Sequence, residues 1–382
     1  MILRFYGDQL PTHFFWCKGD AISRTTYASL YAIIGTKFGI GDGSSTFNLP
    51  LLSGLLLGGP GNGDNQFFLP DGIVIDASGN LYIIDSANHR LVKRLASDLS
   101  YVSRVGSQGN GNNNFYFPCG ITVDSSGNLY VLDTYNHRIV KRLASDLSYV
   151  AQIGSQGSGN DNFEFPCGIT VDSSGYLYVT DTNNHRLVKR LASDLSYVSQ
   201  IGSQGTGNDN FDRPSAIVVD SSGYLYITDM NNHRVMKRLA SDLSYVSKIG
   251  SIGTGNDNFN YPLGIGVDSS GNLFVADSYN HRVMKRLASD LSYVNHTGSL
   301  GTGNYNFNVP YSVCVDASGN FYVSDTNNHR VHKRLISDLS YVSQVGGIYD
   351  SNIIAYEDES DTQDFVFDDT QWTQLIDGLT AV

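Results

Sequence analysis

From Gly59 onward, short apolar runs alternate with turn residues, and the alternation returns every 48 residues. In the first copy the runs are Ile73 to Asp76, Leu81 to Asp85, Arg90 to Leu95 and Tyr101 to Gly106. The turn Ala77-Ser78-Gly79-Asn80, the loop Ser86-Ala87-Asn88 and the turn Ala96-Ser97-Asp98 separate them. No run has helical length, and Leu, Tyr, Ile and Val at these positions suit a pleated, half-buried surface. Each copy therefore predicts four short antiparallel strands, with Gly79 and its equivalents supplying the positive φ of tight hairpins.

The register holds through six copies without an insertion, from Gly59 to Gly346. Pro70, Pro118, Pro166, Pro214, Pro262 and Pro310 keep it, as do Asp76 and its five equivalents. The segment Lys93-Arg94-Leu95-Ala96-Ser97-Asp98-Leu99-Ser100-Tyr101-Val102 recurs in all six, with Ile336 in place of the alanine in the last. A lone sheet of this size buries too little to be stable, so the copies must stack. The first and last copies look like the internal ones, whereas an open solenoid needs atypical caps. The long connection Ser107 to Pro118 also fits a fourth strand leading to the next blade. The expected fold is mainly β: a six-bladed β-propeller of four-stranded antiparallel blades. Leu57 corresponds to Val105 and offers an extra outer strand, so the ring-closing strand stays open.

Charge divides the chain further. Residues 1–58 carry 4 basic and 3 acidic groups, residues 59–346 carry 21 and 25, and residues 347–382 carry none and 9, giving the net −12. A nearly neutral body argues against DNA, whose non-specific binding needs a clustered positive surface. The longest apolar stretch, Leu51 to Gly59, is too short for a membrane span, and Met1 to Asp20 lacks a signal-peptide pattern. Four cysteines fit neither a disulfide framework nor a zinc motif and are expected as thiols of a chain made in the cytoplasm. Cys119 and Cys167 in particular are read as free.

The repeat Pro118-Cys119-Gly120-Ile121-Thr122-Val123-Asp124, Gly127-Asn128-Leu129-Tyr130-Val131-Leu132-Asp133 and Asn136-His137-Arg138-Ile139-Val140 resembles the NHL repeat. That resemblance implies a six-bladed propeller used mostly for binding, with some relatives being metal-dependent lyases or hydrolases and some binding RNA. Ahead of it, Trp16-Cys17-Lys18-Gly19-Asp20, Ser23 to Leu30, Ile34 to Gly39 and Gly41 to Pro50 resemble the phage tail collar domain. This second resemblance implies an assembly module of tail fibres and related appendages, often trimeric. Where the family continues with Asp-Leu-Arg-Gly-Arg, this chain reads Leu51-Leu52-Ser53-Gly54-Leu55, aliphatic where the family pairs charges. The domains expected are a small α+β collar module over residues 1–58, with a short helix around Tyr27 to Ile34, then the propeller over 59–346 and an acidic tail over 347–382. Trp372, Leu375, Ile376 and Leu379 give the otherwise flexible tail the spacing of a short docking helix.

Candidate chemistry is sparse. His89, His137, His185, His233, His281 and His329 recur once per blade, too symmetric for a three- or four-ligand metal centre, so they read as structural groups with Asp85, Asn88 and Arg90. No metal, catalytic residue or cofactor is expected. His332 reads as a satisfied core imidazole and His296 as solvated. Arg90, Lys93 and Arg94, six times over, read as a solvated or salt-bridged strand face rather than an RNA surface.

Variation among the copies is lopsided. The residues preceding and following each blade's proline, and the loop between its second and third strands, vary among the copies, while the Ala-Ser-Gly and Ala-Ser-Asp turns barely change. In an antiparallel meander these two sets emerge at opposite ends. The varied end, carrying Leu69, Asp71, Tyr116, Tyr135, Arg213, Tyr261, Tyr279 and Tyr311, is the candidate ligand face, since Tyr and Asn supply rigid area and adaptable hydrogen bonds. The sequence thus predicts a non-enzymatic recognition protein of a virion tail or extracellular appendage. Its expected partners are tail or appendage proteins, a host-surface glycan or protein, and further copies of itself in a collar-mediated homotrimer. A propeller-centred lyase or hydrolase and an intracellular protein- or RNA-binding scaffold are the alternatives.

Overall fold

The computed structural model describes residues 63–347 continuously, and near the termini residues 14–16, 21–28, 31, 32, 35, 36, 40–48 and 354–356. The chain forms two compact units, residues 1–55 with 350–382 and residues 56–349.

In the first unit, Ala21–Ser23 pairs antiparallel with Thr46–Asn48. Tyr31 N–H donates to the Tyr27 carbonyl and Gly35 N–H to that of Tyr31, the spacing of the helical turns expected here. The Asp42 carboxylate accepts the Ser45 hydroxyl and the amides of Ser44, Ser45 and Thr46, which together lower its pKa and fold the Gly41 to Thr46 motif into a tight Asx-type turn. Arg24 donates to the Thr46 and Ile40 carbonyls, fixing that turn to the preceding strand. Ile354–Tyr356 pairs antiparallel with Phe14–Trp16, so part of the acidic tail is a strand, which its composition did not announce. The stretch expected as a docking helix lies outside the described residues.

The second unit is the propeller. Its first blade consists of Pro70–Ile75, Asn80–Asp85, Arg90–Leu95 and Tyr101–Val105, and its last of Pro310–Val315, Asn320–Asp325, Arg330–Leu335 and Tyr341–Gly346. Every blade is a meander of four consecutive strands, and this answers the open question of closure: the sixth sheet is built from its own repeat. The innermost strands stand side by side around the axis, the last against the first. There Gly120 and Gly168 are required, because a Cβ on either would sit 2.2 Å from a carbonyl oxygen of the next blade.

One apolar cluster fills each seam, and the cluster joining Ile73, Leu81 and Ile83 to Tyr322, Val331 and Val345 completes the ring. Polar bonds repeat along with the apolar ones. Tyr130 gives its hydroxyl to the Ala192 carbonyl, 2.8 Å away, and Lys141 gives its ammonium to the carbonyls of Ala192 and Ser193. Across the closing seam Tyr322 and Lys333 treat Ala96 and Ser97 in the same way.

These contacts correct one sequence reading. Lys93, Arg94 and their equivalents are almost all buried, with Arg94 fully inaccessible. Arg190 bonds the Leu195 and Asn160 carbonyls at 2.6 Å each, while Arg186 reaches those of Ser158, Gly159 and Asn162. Long basic stems cross apolar ground to reach carbonyls that turns and connections leave without backbone partners, so the charge is internal rather than solvated. The salt-bridged part of the reading holds for Arg90 with Asp85, its five equivalents, and Arg190 with Asp161.

Candidate recognition face

The varied positions do share one end of the propeller. Tyr135 N–H donates to the Tyr116 carbonyl and Tyr279 N–H to that of Asn260, and the same bond joins the other four pairs. At the opposite end Ala96 N–H donates to the Gly79 carbonyl, linking the two uniform turns of each blade.

The varied face is held by groups that do not vary. Each second strand ends in a buried aspartate; Asp133 accepts from Tyr116 N–H, Asn136 Nδ2 and Arg138 Nε at 2.7–2.8 Å. Burial nevertheless raises its pKa, outweighing the arginine and the amides. A three-residue turn follows, then a histidine in the left-handed region, with φ 55° at His137. The Nδ1 of His137 accepts Phe165 N–H from the next blade at 3.2 Å, and His89, His185, His233, His281 and His329 do the same for Phe117, Arg213, Tyr261, Val309 and Leu69. The six histidines are thus a ring of blade-to-blade staples. Each acceptor Nδ1 must be unprotonated, which places the ring proton on Nε2.

On that frame the candidate residues separate into groups. Tyr116 and Tyr135 form a continuous aromatic run with Phe117 and Phe165, ring centroids 5.0–5.4 Å apart, flanked by His89 and His137. Tyr135 is 47% exposed at its centre. Tyr261 and Tyr279 make a second pair on the fifth blade, 5.1 Å apart, with Tyr279 55% exposed. Leu69 sits at the closing seam, where neighbouring Phe68 meets the His329 ring, and Arg213 lies on the fourth blade beside neither cluster.

Asp71 and Tyr311 belong to the axis. Tyr311 starts from the sixth blade and its hydroxyl reaches Cys119 Sγ at 3.1 Å and Cys167 Sγ at 2.8 Å, on the second and third blades. Its side chain therefore spans the channel mouth. Burial and the nearby Asp71 carboxyl push its hydroxyl pKa up. Asp71 is itself pushed up to about 8, chiefly by burial, against a hydrogen bond from Ser86. Cys119 and Cys167 form a disulfide, with Cα atoms 5.4 Å apart, which corrects the reading as free thiols. Equivalent positions of adjacent innermost strands are within bridging distance because glycine lets those strands approach. A cavity of about 190 Å³ continues along the axis, walled by residues such as Val74, Thr122, Thr170, Val218 and Cys314.

Sequence reasoning missed Phe117 and Phe165, although they stand at the varied position before the blade proline that Leu69, Arg213 and Tyr261 also occupy. It also passed over Ile252, Leu300 and Tyr305, exposed apolar groups on connections that carry Gln108 and Asp161 in other copies. His332 is buried as expected, yet neither of its nitrogens has a hydrogen-bond partner, so it is not satisfied. His296 is exposed and its Nδ1 shares a hydrogen bond of 2.7 Å with the Tyr293 hydroxyl. Among the described residues no three His, Cys, Asp or Glu are placed to hold a metal ion, and no helix is long and apolar enough to cross a membrane.

The family described as Phage Tail Collar Domain matches residues 1–57, and the NHL repeat matches residues 115–141, 163–189, 211–237, 259–285 and 307–333. The chain joins a phage tail collar domain to an NHL-repeat propeller. The first NHL-type blade lies outside the matched stretches but folds as the others do. No curated protein matches the chain. Solved structures similar to the NHL propeller include a streptogramin B lyase, 12% identical with a TM-score of 0.53, covering 74% of this chain and 84% of that one. Virginiamycin B lyase from Staphylococcus aureus is 14% identical with a TM-score of 0.52, over 76% and 87% of the two chains. A protein of unknown function from Bacteroides thetaiotaomicron is 19% identical with a TM-score of 0.56, over 70% and 69%. At these identities the likeness is one of fold alone.

Proposed function

We propose that the chain is a non-enzymatic structural and recognition component of a phage tail or tail-derived appendage. The collar domain attaches it to other tail proteins, and the varied face of the NHL propeller binds a host-surface glycan or protein. The observation that carries this reading is the run Tyr116, Phe117, Tyr135 and Phe165, partly exposed rings gathered on the one face where the repeats differ. Rigid aromatic area set among asparagines is the chemistry of a paratope-like surface. Gathering three chains through the collar would add weak contacts through effective concentration.

The test uses the full chain with Tyr135→Ala and Tyr279→Ala, and Ser126→Ala on the uniform face as control. Binding to surface envelopes from a panel of bacteria, and to a glycan array, is measured by fluorescence. A loss of about tenfold or more for Tyr135→Ala, with Ser126→Ala unchanged, supports the reading. Equal binding by all three sinks it, as does immunogold labelling that finds the chain off the tail particle.

A further inference from the structure

The six seams of the ring are near copies, and the one between the fifth and sixth blades departs at three positions together. Phe274 stands where Tyr82, Tyr130, Tyr178, Tyr226 and Tyr322 each give a hydroxyl to a carbonyl of the next blade. Ile336 replaces the alanine that receives this bond elsewhere. His332 takes the place of Val92, Val140, Val188, Met236 and Met284, the aliphatic members of the other five seam clusters.

His332 is fully buried, and both ring nitrogens lack a hydrogen-bond partner. Its ring lies 5.3 Å from that of Phe307, on the connection from the fifth blade, and 5.6 Å from that of Tyr341. The acidic group nearby is Asp325, whose Oδ2 is 3.6 Å from Nε2. That carboxylate is already engaged by Arg330 Nε, Asn328 Nδ2 and Asn308 N–H. Two guanidiniums on the same strand, Arg330 and Arg334, oppose a further positive charge. Tyr305 lies against Arg334, Gln344 pairs with His332 across the strands, and from the fifth blade Lys285 reaches the Ile336 carbonyl.

We propose that His332 makes this seam acid-sensitive: protonating its imidazole parts the fifth and sixth blades and releases the last blade from the ring. Burial and the two guanidiniums disfavour the imidazolium while the seam is closed, and water accepts it once the seam opens. The folded pKa is depressed below the unfolded value of about 6.5. Stability from this group is therefore present above that pH and lost as pH falls. Each unit below about 6.5 multiplies the ratio of open to closed by up to about tenfold, until the folded imidazole itself takes the proton. The six repeated histidines are common to wild type and variant and cancel in a comparison.

The test compares the full chain with His332→Val, the residue that three other seams carry. Denaturant unfolding and amide exchange are followed between pH 7 and 4.5. The expected result is a wild-type opening ratio that climbs over that of the variant by up to tenfold per pH unit. Faster exchange in Arg330–Leu335 and Tyr341–Gly346 than in Arg138–Leu143 and Tyr149–Ile153 is expected alongside it. The same pH dependence in both proteins, or equal exchange in the two blades, overturns the proposal. Should His332→Val not fold, His332→Met, as in two other seams, replaces it. Imidazole NMR of the wild type gives a further readout: ordinary titration near 6.5 in the closed protein overturns the proposal, and protonation only on opening supports it.

Discussion

The two ends of the propeller are built to the same plan of backbone hydrogen bonds but use side chains oppositely. At the uniform end, Asp124 accepts Ser126 and Asn128 N–H, the Asn128 side chain and the Tyr130 hydroxyl, and Asp146 accepts Ser148 N–H, so the acidic, amide and phenol side chains are engaged in holding the turns. At the other end the holding is done from beneath by Asp133, Arg138 and His137, and the residues above contribute mainly their backbone. Tyr116, Glu164, Asp212 and Asn260 meet the same structural demand with different side chains. Variation on one face thus reflects where the fold leaves side chains uncommitted, and that freedom is what a recognition surface needs.

This contrast can be broken at points of graded severity. Asp181→Ala removes the carboxylate beneath the varied face and leaves Arg186 buried without its partner; it is expected to cost about 3–5 kcal/mol in urea unfolding. Asp71→Asn tests the axis. The folded carboxyl sits at about 8 against about 3.9 unfolded, so its protonated form stabilises below pH 4 and that gain is lost as pH rises toward 8. The variant should overtake wild type across that window by roughly 1–3 kcal/mol, read from urea midpoints at pH 5, 7 and 8.5. On the uniform side of the seam, Tyr130→Phe deletes a hydroxyl shared by Asp124 and the Ala192 carbonyl and should cost about 1 kcal/mol. Tyr135→Ala is expected to shift the thermal midpoint least, under about 0.5 kcal/mol, because the ring is exposed. A larger cost there would mean that the varied face is structural after all.

Much of this was legible because the strongest signal was periodic. Six prolines and six histidines in one register specify six equivalent blades, and the placement of the varied loops at one end followed from strand direction alone. Lys93 and Arg94 misled because charge ordinarily marks solvent; Lys93 reaches the Ala144 carbonyl and Arg94 that of Asp64, each tens of residues away in sequence, which no local pattern encodes. The Cys119–Cys167 pairing and the span of Tyr311 across the axis depend on how near the innermost strands approach, a distance set by ring closure rather than by spacing. His332 was correctly placed in the core, but its lack of a partner is a property of the whole seam.

The closing seam is formed by the same tyrosine, lysine and histidine bonds as four of the five internal ones, so closure asks nothing of the ring that its other seams do not supply. A chain cut between any two blades and rejoined at Gly59 and Gly346 would face the same assembly problem as the native order. Moving whole 48-residue units would therefore permute the varied positions, while the bonds that close the disk travel within the units themselves.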